Sequence, residues 1–275
     1  MSQRAFAFLP LNARPGKPRE RGITEIRGPY YTVMGQRYLS DILETMGDAV
    51  DTLKFSGGAF SLMPRERVKE LIDLAHGHDV TVSTGGFMEY VLSLRSPELV
   101  DRYIAEAREL GFDILELSVG FITLPSDDLV RLVKRVKSAG LKPKPEVGIQ
   151  FGAGGDTPTE ELATEGTKAV SRAIELARKC LDAGAWMIMI ESEGITENVR
   201  EWRTDVVSDI ADQLGLENVM FEAADPPVFQ WYIKNYGPEV NVFVDHSQIV
   251  QLEALRRGIW GPQSLFGRVV TYKEE

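Results

Sequence analysis

Residues 127–148 read DDLVRLVKRVKSAGLKPKPEVG, an amphipathic stretch, a glycine stop and a short strand that ends in an acid. The spacing predicts a helix over 127–139, and Gly140 ends it because glycine takes the left-handed conformation without steric cost. Residues 142–147 then read as a strand. Lys144 and Glu146 stand two residues apart on it and so share one face. A glycine-rich loop, 148–165, follows.

The same unit recurs on both sides of this stretch with a rhythm of roughly 25–35 residues. Further strands are expected at 22–26, 50–55, 80–83, 114–117, 186–190, 219–221 and 240–244. Helices are expected near 37–46, from Pro64, over 97–110 behind Ser96 as N-cap, over 167–183 up to Gly184, and over 249–257. Eight strands alternating with eight helices predict an α/β fold, a single (β/α)8 TIM barrel, rather than an open doubly wound sheet. A dinucleotide-binding sheet would carry G-x-G-x-x-G after its first strand. That spacing is absent there, and Gly152, Gly154 and Gly155 spell only G-x-G-G. The expectation is one domain over 1–275, with 1–21 as an N-terminal extension and 262–275 as a C-terminal tail.

Composition narrows the partners. With 43% hydrophobic residues the chain can fill a large core. A net charge of −10 opposes binding to nucleic acid or to an anionic membrane. It leaves room for a small anionic substrate, because a local cation governs the field within a Debye length of about 8–10 Å. The single cysteine, Cys180, excludes an internal disulfide and reads as a core residue in a reducing compartment. Neither a secretory signal nor an apolar run of about 18 residues is present, so a cytoplasmic location is expected.

Catalytic groups of such a barrel sit at the C-terminal ends of its strands. Those positions are heavily charged: Glu25 and Arg27, Lys54, Glu116, Lys144 and Glu146, Glu191 and Glu193, Glu222 and Asp225, then Asp245 and His246. Converging carboxylates repel unless a positive group sits among them. Oxygen ligands without cysteine or clustered histidine favour magnesium over zinc. Of the three histidines, His76 and His78 fall at the far end of the barrel, and His246 alone makes no zinc site. A strand-end acid can also pair quietly with a neighbouring cation in the strand–helix layer, so each one singly has a structural reading too.

Lys54 opens Lys54-Phe55-Ser56-Gly57-Gly58, whose glycines would let backbone amides approach a phosphate or carboxylate. Arg27, Gly85 and Gly86 fall at other strand ends. Arg256 and Arg257 close the last helix, where they either hold substrate or complement the helix's negative end. Tyr30, Tyr31, Trp202, Trp231, Tyr232 and Trp260 supply aromatics, and the helical ones read as packing.

The chain resembles the phosphosulfolactate synthase family over nearly the whole barrel. The likeness lies in 50–55 (VDTLKF), Gly85-Gly86, 111–116 (GFDILE), 145–148 (PEVG), Ile190-Glu191, 219–223 (VMFEA) and 252–258 (LEALRRG). The resemblance implies magnesium-dependent addition of sulfite to phosphoenolpyruvate, a step towards coenzyme M. The family also includes plant heat-stress-associated proteins. Carried onto this sequence, Glu146, Glu191 and Glu222 become metal ligands. Lys54 matches a family lysine and becomes substrate-binding; Gly85, Gly86, Arg27, Arg256 and Arg257 join it as candidate substrate-binding residues by position, and Lys144, Glu146 and Gln150 are the candidate catalytic positions.

The pattern also departs from the family. Ile149-Gln150 stands where archaeal-type synthases carry two lysines, and glutamine cannot act as a general acid. Glu193, in Ser192-Glu193-Gly194, and Trp260 stand where arginines are implied. Lys144 is the candidate to substitute for the missing lysine. The expected function is therefore a magnesium-dependent lyase or synthase on a small phosphorylated enol or carboxylate, with altered anion-binding residues. The alternative is an inactive or repurposed stress-associated or regulatory barrel that binds a small anion. A third reading keeps the enzyme and changes the enol or enolate substrate. Family likeness implies a homo-oligomer, which the apolar, aromatic outer helices permit.

Overall fold

A computed structural model describes residues 4–154, 157–167, 169–223 and 225–272. Its eight strands are β1 (Thr24–Arg27), β2 (Thr52–Lys54), β3 (Thr81–Ser83), β4 (Ile114–Leu117), β5 (Lys142–Val147), β6 (Ile188–Ile190), β7 (Val219–Glu222) and β8 (Val242–Asp245). All are parallel and hydrogen-bond in chain order. β1 also pairs with β8, from Thr24 opposite Val242 to Arg27 opposite Asp245, which closes the ring.

The helices are α1 (Gln36–Met46), α2 (Arg65–His76), α3 (Met88–Ser93), α4 (Pro97–Leu110), α5 (Ser126–Ser138), α6 (Thr159–Glu165), α7 (Val170–Asp182), α8 (Thr204–Leu214), α9 (Pro226–Tyr236) and α10 (Ile249–Arg256). Two go beyond the sequence-based alternation. α3 and α6 are short helices inside the loops that leave β3 and β5, on the side where those strands end. The expected cap is present, since the Leu99 amide donates to Ser96 Oγ at 3.3 Å.

Strand parity separates two apolar layers. Outward side chains such as Ile26, Leu53, Val82, Leu115, Phe221 and Val242 are fully buried under helix residues including Leu39, Ile72, Val133, Val207 and Phe229. Burying each such side chain contributes about 1.5–3 kcal/mol. Inside the ring, Ile23, Met187, Met189, Met220 and Phe243 form a separate plug. Above this plug the interior turns ionic.

β5 is unusual because prolines 143 and 145 cannot donate to a ladder. Its pairing with β4 runs from Lys142 to Pro145, whereas its pairing with β6 is confined to Glu146 and Val147. The strand is thus anchored to β6 at the end that carries Glu146.

At the opposite end, where the strands begin, Arg256 is completely buried. Its guanidinium donates to the carbonyls of Gly22, Pro238 and Val240 at 2.7–2.9 Å and to that of Ile23 at 3.5 Å. Arg14 pairs with Glu253, and Arg19 with Asp51 at 2.8 Å, so the segment before β1 is tied across this end. Asn12 joins it to the segment after α10 by donating to the Arg256 and Val269 carbonyls.

Candidate functional site

A cavity of about 220 Å³ opens where the strands end. It is smaller than the ~300–1,000 Å³ pockets of drug-sized ligands, so it suits a small substrate. Arg27 from β1, Lys54 from β2, Glu116 from β4, Glu146 from β5, Glu222 from β7 and Glu191 just past β6 all line it.

Glu146, Glu191 and Glu222 each bring a carboxylate oxygen to within 4.8 Å of the others'. Ser118 Oγ donates to Glu146 at 2.7 Å, and the Glu193 amide donates to Glu191 at 2.9 Å. Arg27 Nη2 lies 3.4 Å from Glu222. Burial, and then repulsion by Glu116, push the Glu146 carboxyl up to about 8, against the pull of Lys54. Burial and the charges of Glu222 and Glu146 hold Glu191 well above the usual carboxylate range. These acids are thus short of positive charge. Among the described residues the lining contains neither histidine nor cysteine, so the ligands it offers are hard oxygens. That donor set fits a magnesium ion, which Glu146, Glu191 and Glu222 would hold.

The loop after β5 roofs this cluster. Gly154 has φ of 110°, and a Cβ there would come within 2.8 Å of Glu191 Oε2, so only glycine allows the backbone to pass so close. Glu193 fastens the roof. It accepts from the amides of Gly154 at 2.7 Å and Thr157 at 2.8 Å, and from Asn198 Nδ2 at 2.8 Å. The acid that replaces an implied arginine is therefore a latch for the loop.

Beneath the mouth, charges alternate in a chain. Lys144 contacts Glu25 and lies 2.9 Å from Glu116. Glu116 lies 2.8 Å from Lys54, which reaches Glu146 at 3.9 Å. Burial pulls the pKa of Lys54 down, but Glu116, Glu146, Glu222 and Glu25 outweigh it, and the net shift is upward. Burial raises Glu116 in turn, yet Lys144 and Lys54 prevail and lower it. Lys54 is accordingly a fixed ammonium, set 4.3 Å over the Phe243 ring.

Four residues expected at the site are elsewhere. Lys144 is fully buried one layer below the mouth and does not line the cavity. Gln150 is turned away, its Nε2 donating to the carbonyls of Leu162 at 3.0 Å and Gly166 at 3.3 Å. It braces the loop instead of facing substrate. Arg256 and Arg257 lie at the opposite end of the barrel because α10 runs away from the mouth. Arg257 pairs with Glu253 at 2.7 Å and with the Asn12 carbonyl at 3.1 Å.

Gly86 lines the cavity, while Gly85 is required for packing. Its φ is 64°, and a Cβ would come within 2.5 Å of the Phe55 carbonyl oxygen. Trp260 is exposed and set edge-on to Phe266 at 5.3 Å, outside the cavity.

Sequence reasoning missed Glu89. It lines the mouth from α3, accepting from the Phe121 amide at 2.7 Å, with Ser118 Oγ 3.1 Å away. A six-residue helix is too short for a periodic signal. Glu25 and Glu116 stood among the strand-end acids, and their spacing gave no sign that they would neutralise Lys144.

Comparison with known proteins agrees with this architecture. The sequence profile described as (2R)-phospho-3-sulfolactate synthase (ComA) matches residues 12–262. The chain is 40% identical to Protein HEAT-STRESS-ASSOCIATED 32 of Arabidopsis thaliana over 253 residues, covering 88% of each chain. It is 30% identical to the phosphosulfolactate synthase of Methanothermobacter thermautotrophicus over 264 residues, 94% of this chain and 96% of that one. Among solved structures, a 2,3-dimethylmalate lyase superposes with a TM-score of 0.52 at 12% identity, over 86% of this chain and 80% of its own. At that identity the likeness is one of fold.

Proposed function

This chain belongs to the (2R)-phospho-3-sulfolactate synthase family, and on that footing we propose that it is a magnesium-dependent lyase or synthase acting on a small enol or carboxylate, phosphorylated or not. The observation that carries the reading is the convergence of Glu146, Glu191 and Glu222 at three successive strand ends beside Lys54 and Arg27.

A bound magnesium ion would supply a Lewis acid for negative charge developing on the carboxylate and enol oxygens. Lys54, positioned by Glu116, faces the substrate's anionic group. Its raised pKa makes it a firm anion partner and a poor proton donor. Arg27, 3.4 Å from Glu222, contributes the second cation. The latched β5 loop covers one side of the acid trio. The proposal includes a cytoplasmic homo-oligomer acting as one domain, and no described helix is long and apolar enough to cross a membrane.

Thermal denaturation of metal-free protein tests it. Magnesium plus oxalate should raise the melting temperature, because a ligand at 100 times its Kd adds about 2.7 kcal/mol. The gain should vanish in Glu146→Gln. A flat response of the wild-type protein would sink the metal site.

A second reading is a stress-associated barrel that binds a small anion without turning it over. Two observations favour it: Gln150 is withdrawn from the mouth, and the chain is 40% identical to a heat-stress-associated plant protein. Metal-dependent anion binding with no consumption of any enol would be its signature.

A further inference from the structure

Among the described residues the lining carries seven carboxyl groups, and six of them are committed. Glu146, Glu191 and Glu222 form the trio, and Glu116 is neutralised by Lys54 and Lys144. Glu193 latches the roof, and Glu197 accepts from Ser192 Oγ at 2.6 Å. The seventh is Glu89.

Glu89 is firmly placed although its helix is short. Phe87, just ahead of α3, packs edge-on to Phe60 at 5.3 Å and rests on Gly58, where a Cβ would come within 2.1 Å of its ring. Gly86 lets the same turn close against the end of β4, since a Cβ there would come within 2.9 Å of Ser118 Cβ. The turn from β3 into α3 therefore sets Glu89, half-buried in the cavity wall, beside Ser118 and the Phe121 amide.

Ser118 has one hydroxyl proton and two carboxyl neighbours. Glu146 lies 2.7 Å from Oγ and takes that proton, while Glu89 Oε2 lies 3.1 Å from the same oxygen. The longer contact is a hydrogen bond only if Glu89 itself carries a proton and donates it to Oγ. A Glu146 engaged as a metal ligand stays ionised, which leaves Glu89 as the protonated member. Burial, the largest influence on the Glu89 carboxyl, acts in the same sense.

We propose, resting on the metal-site reading above, that Glu89 is the general acid–base of this mouth and that Ser118 holds its proton in place. In the protonating direction the Glu89 O–H bond breaks and the proton joins the substrate's enolate carbon. The carbon–carbon π pair of the enolate forms the new C–H bond, and the charge on its oxygen returns as a C=O double bond. Glu89 is left as a carboxylate, and water re-supplies its proton. In reverse, the carboxylate removes a proton from the carbon beside a carbonyl. The role suits a carboxyl here because Lys54 is held as an ammonium by Glu116 and Gln150 is turned away.

Two measurements on the magnesium-loaded full chain test this, with isothermal titration of oxalate showing that the site is formed. At neutral pH, infrared difference spectra between wild type and Glu89→Gln should show a protonated carboxyl stretch in the wild type alone. Ser118→Ala should lose that band as well, since Glu89 then keeps only amide donors, which favour its ionised form. In D2O the methyl hydrogens of pyruvate should exchange for deuterium, followed by proton NMR. Glu89→Gln should slow this exchange about a hundredfold or more while oxalate affinity stays within about twofold. Exchange at the wild-type rate in Glu89→Gln, or a wild type that binds oxalate yet lacks the band or the exchange, would overturn the inference and leave the metal site standing. Failure of oxalate to bind with magnesium would overturn the metal site, and the inference with it.

Discussion

Arg256 at one end of the barrel and Glu191 at the other are both buried ionisable groups, but their surroundings differ. Arg256 donates to four backbone carbonyls, and the neighbouring charges pair off as Arg14 with Glu253 and Arg19 with Asp51. Glu191 accepts from the Glu193 amide, with Ser192 Oγ 3.5 Å away, and it faces two more carboxylates, Glu146 and Glu222. A charge matched by fixed protein groups holds structure together. A charge left unmatched at the strand ends is held ready for something that is not protein. The ionic chain from Glu25 to Lys54 lies between these two regimes: it is balanced within the barrel and delivers one ammonium to the mouth.

If that contrast is real, substitutions at the two ends should separate stability from binding. Arg256→Met should have the largest effect, about 3–5 kcal/mol lost in urea unfolding, since it leaves buried carbonyls without donors. Magnesium affinity of the folded fraction should stay unchanged. Lys54→Met should cost somewhat less, about 2–4 kcal/mol, because Glu116 keeps Lys144 as a partner. Unlike the first, it should also weaken oxalate binding by tenfold or more.

Glu191→Gln should act in the reverse sense. Relief of repulsion should stabilise the metal-free protein by about 1 kcal/mol in urea unfolding, while the magnesium-induced rise in melting temperature disappears.

The last effect is in pH. The Glu146 carboxyl moves from 4.5 to about 8 on folding, so its protonated form favours the folded state. That stability is full below 4.5 and is lost as pH rises through 8. Metal-free protein should therefore melt progressively lower from about pH 5 to 8 and level off above that, and magnesium should flatten the slope. An unchanged melting temperature across this range would mean the acid trio is already balanced, as the opposite end is.

The barrel was legible because its signals are local. Helical spacing over 127–139, a stop at Gly140 and a strand over 142–147 need only neighbouring residues, and the strand appears with those bounds. The acids Glu146, Glu191 and Glu222 were readable for the same reason, since each follows a short apolar or strand-like run. Depth in the barrel was not readable. The two-residue period puts Lys144 and Glu146 on one face, but it does not say that one residue faces the mouth and the other lies a layer below it. Nor does it say that Glu25 and Glu116, from distant strands, neutralise the lower one. That depends on the stagger between strands, a property of the closed ring.

Loop return is equally non-local. Gln150 and Glu193 sit close to the strand-end acids Glu146 and Glu191 in sequence, yet each makes hydrogen bonds to the β5 loop or its foot. Sequence alone determined the fold and the three acids at its mouth, because periodicity and strand-end position are encoded residue by residue. The tertiary structure alone decided which charges are cancelled and which remain open to a ligand, because cancellation requires partners from other strands.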